Sequence, residues 1–150
     1  MIGDWIAYDT TVKEVCAVVE RVYFKKDLKG FKGDRAFVES DYAMKMYSKL
    51  RSSGAGLYNW RAINAKTAEE KQRMTQEADF AFRQAFALFP VSPEAVFRYV
   101  QLLTQSERID DALLITRTAM KLDPKNEQIR AAVTELLHMK RQAKGAGPKE

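Results

Sequence analysis

Cysteine and histidine are nearly missing from this 150-residue chain, which has one of each, Cys16 and His138. One cysteine excludes an intrachain disulfide, and so small a set of ligands excludes zinc sites built from several Cys and His residues. No cofactor is expected. Proline and glycine are scarce too, at 4 and 7 residues. No segment shows sustained strand-like alternation bounded by hairpin turns. No apolar run approaches the ~18 residues that span a bilayer, and Gly3, Asp4 and Trp5 do not make the basic start and apolar core of an export signal. What is present is 46% hydrophobic and 30% charged, with mean hydropathy −0.40. That composition fits one soluble domain, which at this size buries roughly 68–70% of its unfolded surface and needs no covalent staple.

The net charge is +5 with pI near 9.3, a balance that invites a nucleic-acid reading. Its distribution argues against one. Residues 1–66 hold 12 basic and 8 acidic side chains, giving +4, and residues 67–150 hold 13 and 12, giving +1. The excess is densest at Lys25, Lys26, Lys29, Lys32 and Arg35, where Gly30 and Gly33 read as turns. A solvated loop explains that cluster, with attraction to anionic lipid headgroups as the alternative.

The positive signals are helical. Thr11 and Glu14 have capping-box spacing, and Val12, Val15, Cys16, Val19, Val22 and Tyr23 then recur every three to four residues through Phe24. Residues 25–39 read as a basic connection. Ser40 or Asp41 caps a second helix with Ala43, Met44, Met46, Tyr47 and Leu50, which the run Ser52-Ser53-Gly54-Ala55-Gly56 is expected to interrupt. Thr67 with Glu70 opens a helix of about six turns that stops at Pro90. Ser92 followed by Pro93 starts another, through about Gln105. Helices from Arg108 to Leu122 and from Asn126 to about Gln142 complete the set, and 143–150 reads as a disordered tail.

The chain also matches itself at an offset of 34. Ala78 aligns with Ala112, Arg83 with Arg117, Ala85 with Ala119, Leu88 with Leu122 and Pro90 with Pro124. Alanines seven apart share a helix face and let neighbouring helices approach closely, and proline ends the second helix of each unit. Thirty-four residues is the tetratricopeptide period, and residues 93–126 resemble one complete repeat through Val96, Tyr99, Val100, Leu103, Ala112, Ala119 and Pro124. Two positions depart from the pattern: Val100 where Gly or Ala is common, and Thr116 where an aromatic is usual. The preceding unit matches in its second helix only, because Ala62, Ala65, Lys66 and Glu69 fall where large apolar residues belong. The fold expected is all-α, antiparallel hairpins in a right-handed superhelix. Residues 1–66 would form an N-terminal helical cap and linker, with the helices near 11–24 and 41–51 packed on the 67–89 helix. Residues 67–142 would be repeats closed by a C-terminal helix bearing Ile129, Val133, Leu136 and Leu137.

Candidate chemistry is thin. His138 has no partner ligand and reads as a helix-surface residue, Cys16 as core, and Asp110 with Asp111 as carboxylates complementing a helix N-terminus. No catalytic or metal-binding residue is assigned. The segment Lys49–Arg61, KLRSSGAGLYNWR, stands as either a linker or a binding surface in which Arg51, Tyr58, Trp60 and Arg61 present cations and aromatic rings. On the repeat, Phe97, Arg98 and Gln101 face a prospective groove, and such grooves most often bind a peptide or another protein. The subclass that clamps C-terminal carboxylates with Asn and Lys/Arg is not expected, since Phe97 and Gln101 occupy the corresponding places.

Taken together, Met1–Cys16, Gly30–Val38, Lys49–Arg61 and Glu77–Leu103 resemble the C-terminal soluble region of a bacterial multi-pass membrane family. That family is similar to protein O-mannosyltransferase-like, lipid-sugar-dependent glycosyltransferases. The resemblance implies a non-catalytic domain, facing the periplasm and associated with its own membrane portion, with Met1 an internal methionine or an introduced start. The competing expectation is a free-standing cytoplasmic adaptor; direct nucleic-acid binding is disfavoured by the even charge over the repeat half.

Overall fold

The computed structural model describes residues 6–145, and every described element is helical. Helix α1, Val12–Val19, passes directly into a π-helical turn, Glu20–Phe24; α2 is the single turn Ala36–Glu39. Then come α3 Asp41–Ile63, α4 Ala68–Leu88, α5 Pro93–Gln105, α6 Ile109–Leu122 and α7 Glu127–Gly145. The expected boundary near Gln142 is passed by three residues, and the rest of the 143–150 tail lies outside the described residues.

Capping chemistry sets most of the starts. The Thr11 hydroxyl accepts from the Glu14 amide at 3.2 Å while the Glu14 carboxylate accepts from the Thr11 amide at 2.8 Å, closing the capping box. The Thr11 hydroxyl also donates to the Glu14 carboxylate at 2.7 Å, and this bond, with the one from the Thr11 amide, holds that carboxyl below its ordinary pKa. Ser40, Thr67 and Ser92 each accept from the amide three residues on, and Asn126 does the same for α7. Between α5 and α6 the chain reverses in a Schellman motif: the Arg108 amide donates to Leu103 at 2.8 Å and the Glu107 amide to Thr104 at 3.0 Å. Glu107 takes the left-handed position there, with φ of 59°.

The run Ser52–Gly56 does not interrupt its helix. It is the interior of α3, whose 23 residues continue unbroken. Helix propensity loses here to tertiary packing. Ser48, Ser52, Ala55 and Ala62 form the buried face of α3 against α4, and their small size brings the two axes together. The Ser48 hydroxyl donates across this seam to the Ala85 carbonyl at 2.8 Å. At Gly56 a Cβ would sit 2.3 Å from Nη2 of Arg98, so the missing side chain leaves room for α5's guanidinium to lie over α3.

Two helical hairpins, α3/α4 and α5/α6, follow one another, and α7 packs on α6. The helices expected near 11–24 and 41–51 both pack on α4, and α1 also rests on α6. Helix α4 is the centre of the core: every residue from Ala81 to Leu88 is buried. Ala78, Ala85, Ala112 and Ala119 are all fully buried, as the repeat spacing implies. Phe82 stacks on Tyr99 with centroids 5.9 Å apart. Thr116, the departure from the aromatic pattern, is fully buried and satisfies its hydroxyl on its own helix at the Ala112 carbonyl, 3.0 Å away. Cys16 is buried in the α1 core face, which pushes its thiol up to about 11, and His138 is exposed.

The N-terminal segment is tied to α4 through polar groups. The Tyr23 hydroxyl lies 2.8 Å from the Ala87 carbonyl and 2.9 Å from that of Leu88, satisfying the C-terminal end of α4. Burial there raises the Tyr23 pKa. Arg83 donates to the main-chain carbonyls of Thr10 and Tyr8. It also pairs with Asp79 at 3.0 Å, and Asp79 in turn meets Arg108 at 2.9 Å and the Tyr99 hydroxyl at 3.0 Å. One carboxylate thus joins α4, α5 and the α5–α6 turn.

Candidate functional site

Helices α5 and α7 both pack on α6, and a groove of about 340 Å³ opens between them. Its floor is apolar: Leu136 is buried, and Phe97, Val100 and Met139 are half-buried. Gln101, Gln105 and Glu135 are exposed at its rim. On α5 these positions recur at three to four residues, so one helix face supplies them. Thr104, also in the wall, returns its hydroxyl to the Val100 carbonyl at 2.8 Å and so offers no free donor. The volume lies at the small end of the ~300–1,000 Å³ usual for ligand sites. It suits one or two apolar side chains of a partner, with amide and carboxylate hydrogen bonding at the edge.

The seven residues singled out in the sequence fall in different places. Phe97 and Gln101 line this groove. Arg98 turns the other way, bonded to Glu94 at 3.0 Å and the Ser52 carbonyl at 3.4 Å. Arg51 lies over the Phe80 ring, 5.9 Å from its centroid, and Tyr58 packs against the core. Arg61 pairs with Glu70 at 3.4 Å. Trp60 alone of these seven presents a large apolar ring to solvent.

The α7 wall of the groove was not singled out in the sequence, where α7 reads as a covering helix. A signal existed: Ala132 and Met139 extend the covering stripe of Ile129, Val133 and Leu136 toward the groove. Also unread was the Asp79 network, because its members are distant in sequence. Tyr99 within it is pushed well above its ordinary pKa, by burial first and Asp79 second. Among the described residues no group of three or more His, Cys, Asp or Glu side chains is placed to hold a metal, and no helix is long and apolar enough to cross a membrane.

Antiparallel helical hairpins with buried alanines at a 34-residue offset make this a tetratricopeptide-like helical-repeat fold. Residues 71–136 match the family model of the tetratricopeptide repeat, from within α4, through the α5/α6 hairpin, into the part of α7 that walls the groove. Comparison with curated proteins and with solved structures gives no match. Tetratricopeptide repeats serve in general as protein-interaction modules.

Proposed function

We propose that this domain is a non-catalytic scaffold that binds a protein or peptide through the groove between α5 and α7. The carrying observation is an apolar floor of Phe97, Val100, Leu136 and Met139 with a polar rim, in a groove formed almost wholly by the repeat-matching region. Peptides selected from a random displayed library should shift the backbone amide resonances of Phe97, Gln101 and Met139. The variant Gln101→Glu with Met139→Glu should bind them at least about tenfold more weakly while keeping its helical circular dichroism and a cooperative melt. Selected peptides that map elsewhere, or that ignore these substitutions, would overturn the assignment.

The wider setting we propose is the soluble part of a membrane glycosyltransferase-like chain facing the periplasm, near its own membrane portion and anionic headgroups. Its support is the sequence resemblance over Met1–Cys16, Gly30–Val38, Lys49–Arg61 and Glu77–Leu103, three of which lie wholly before the repeat match. A reading frame continuing upstream of Met1 through several apolar segments of about 20 residues is expected. A stop codon and ribosome-binding site just before Met1 would favour the cytoplasmic adaptor instead.

A further inference from the structure

Helix α3 is amphipathic in the inverse sense: its small side chains face the core and its large apolar ones face solvent. Of nine large apolar side chains exposed among the described residues, seven are on α3, so the exposure is concentrated rather than scattered. At roughly 100° per residue, Tyr42, Met46, Leu50, Leu57 and Trp60 fall within an arc of about 80°. Ser53 lies inside that arc. From Met46 onward the positions 46, 50, 53, 57 and 60 alternate steps of four and three residues, the spacing of a seam that meets another helix. Helix α3 contacts α2, α4 and α5; this face lies opposite the buried Ser48, Ser52, Ala55 and Ala62, with Arg98 of α5 over Gly56 at its edge. A helical-repeat stack normally ends in a polar face; the first hairpin of this one ends in Leu50, Leu57 and Trp60 at 65%, 61% and 61% exposure.

We propose that the α3 face binds a second copy of this chain, with the two α3 helices antiparallel and crossing at Ser53. Three observations select a second copy. The seam reads nearly the same in both directions about Ser53, as a two-fold contact requires: Leu50 meets the second copy's Leu57, Met46 meets its Trp60, and the two Ser53 residues allow close approach. The flanking charges are largely already paired: Lys45 holds Asp41 at 2.7 Å, Arg61 falls beside Tyr47, and Lys49 comes against Gly56, where the overlying Arg98 guanidinium is paired with Glu94 at 3.0 Å. The available surface is also sufficient. At about 150–250 Å² per aromatic and on the order of 100–150 Å² per aliphatic side chain, scaled by exposure, the five seam residues offer roughly 400–600 Å² per copy. With the stems of Lys49 and Arg61 this comes, over both copies, to the low end of the ~1,200–2,000 Å² total that a stable interface buries. A lipid surface would call for a broader apolar arc than this narrow seam.

Sedimentation velocity of the 150-residue chain from about 1 to 200 µM tests the proposal, the expected species at about 50 µM having twice the 17.2 kDa chain mass. Leu50→Glu combined with Leu57→Glu should weaken the dimer at least about 100-fold while leaving the circular dichroism melt of the monomer unchanged, since both sites are exposed. Orientation is read by cross-linking, which the buried Cys16 does not disturb. Ser53→Cys should oxidise to a disulfide-linked dimer. Leu50→Cys should do so only when mixed with Leu57→Cys. A monomer over the whole range, a dimer that survives the double glutamate variant, or self-linking of Leu50→Cys would each overturn the proposal. So would a monomer that co-sediments, through Leu50 and Leu57, with phosphatidylcholine vesicles containing about one third phosphatidylglycerol; that result would assign the face to lipid.

Discussion

Replacing Asp79 with Asn should cost about 3 kcal/mol, and the structure shows where that loss arises. The carboxylate holds Arg83 at 3.0 Å and Arg108 at 2.9 Å. Breaking a buried ion pair by removing one partner typically costs ~3–5 kcal/mol, because the other charge stays buried without compensation. The Arg83 side chain is 9% exposed and bears that penalty, whereas Arg108 at 39% can turn to water, which places the estimate at the lower end. The carboxamide introduced by this substitution still accepts from the Tyr99 hydroxyl, so little further loss arises there. For a chain of this length ~1 kcal/mol shifts the melting temperature by about 2–4 °C, so a fall of roughly 6–12 °C is expected. Thermal and urea unfolding followed at 222 nm, with the Asp79→Asn/Arg83→Met double variant completing a cycle, should give a coupling of at least ~1 kcal/mol. A melt of Asp79→Asn within about 1 °C of the parent, or a coupling near zero, would refute the view that this carboxylate organises the α4–α5 junction.

Glu107→Gly should raise stability by about 1 kcal/mol, or roughly 2–4 °C, because a non-glycine residue with φ of 59° is strained; an unchanged or lower melt counts against it. Gly54→Ala, with open space around its Cβ position, should gain ~0.5–1 kcal/mol in chemical denaturation, while Gly56→Ala should gain less because Arg98 must move. The Cys16 thiol is raised from 9.0 to about 11 by burial, so the folded state retains a proton that the unfolded state loses. Its stabilisation is complete below pH 9 and declines as the pH rises through about 11. Urea midpoints should fall over that range, and Cys16→Ala should flatten the part between pH 9 and 10, below the range in which tyrosines contribute. A thiol reagent at pH 8 should label the native chain only after unfolding.

The parts of the fold legible in the sequence were those set by local chemistry or by the repeat. Thr11, Ser92 and Asn126 cap their helices through bonds to residues three positions away, so a short window contains the whole interaction. Alanine spacing and Pro90 and Pro124 marked the hairpins because each constrains packing wherever it occurs. The continuity of α3 was hidden, since Ser52–Gly56 has poor intrinsic helix propensity and is helical only because α4 and Arg98 need small side chains there. The π-helical turn at Glu20–Phe24 was equally unread: Tyr23 within it meets the end of α4, 64 residues on, beyond any short window. For the groove, the α5 wall carried repeat positions and was read through Phe97 and Gln101, while on α7 the stripe that holds it to α6 overshadowed Ala132 and Met139 beside it.

The Arg83 bonds to the N-terminal segment have a further consequence. Their acceptors are the main-chain carbonyls of Tyr8 and Thr10, groups that every amino acid possesses. The clamp therefore recognises the course of the chain and is blind to the letters it carries. The identity of Asp9 and Thr10 is free to drift as far as this clamp is concerned, and a foreign segment making the same turn would be gripped equally well. Arg83 itself has no such freedom, because no other residue spans two carbonyls while answering Asp79.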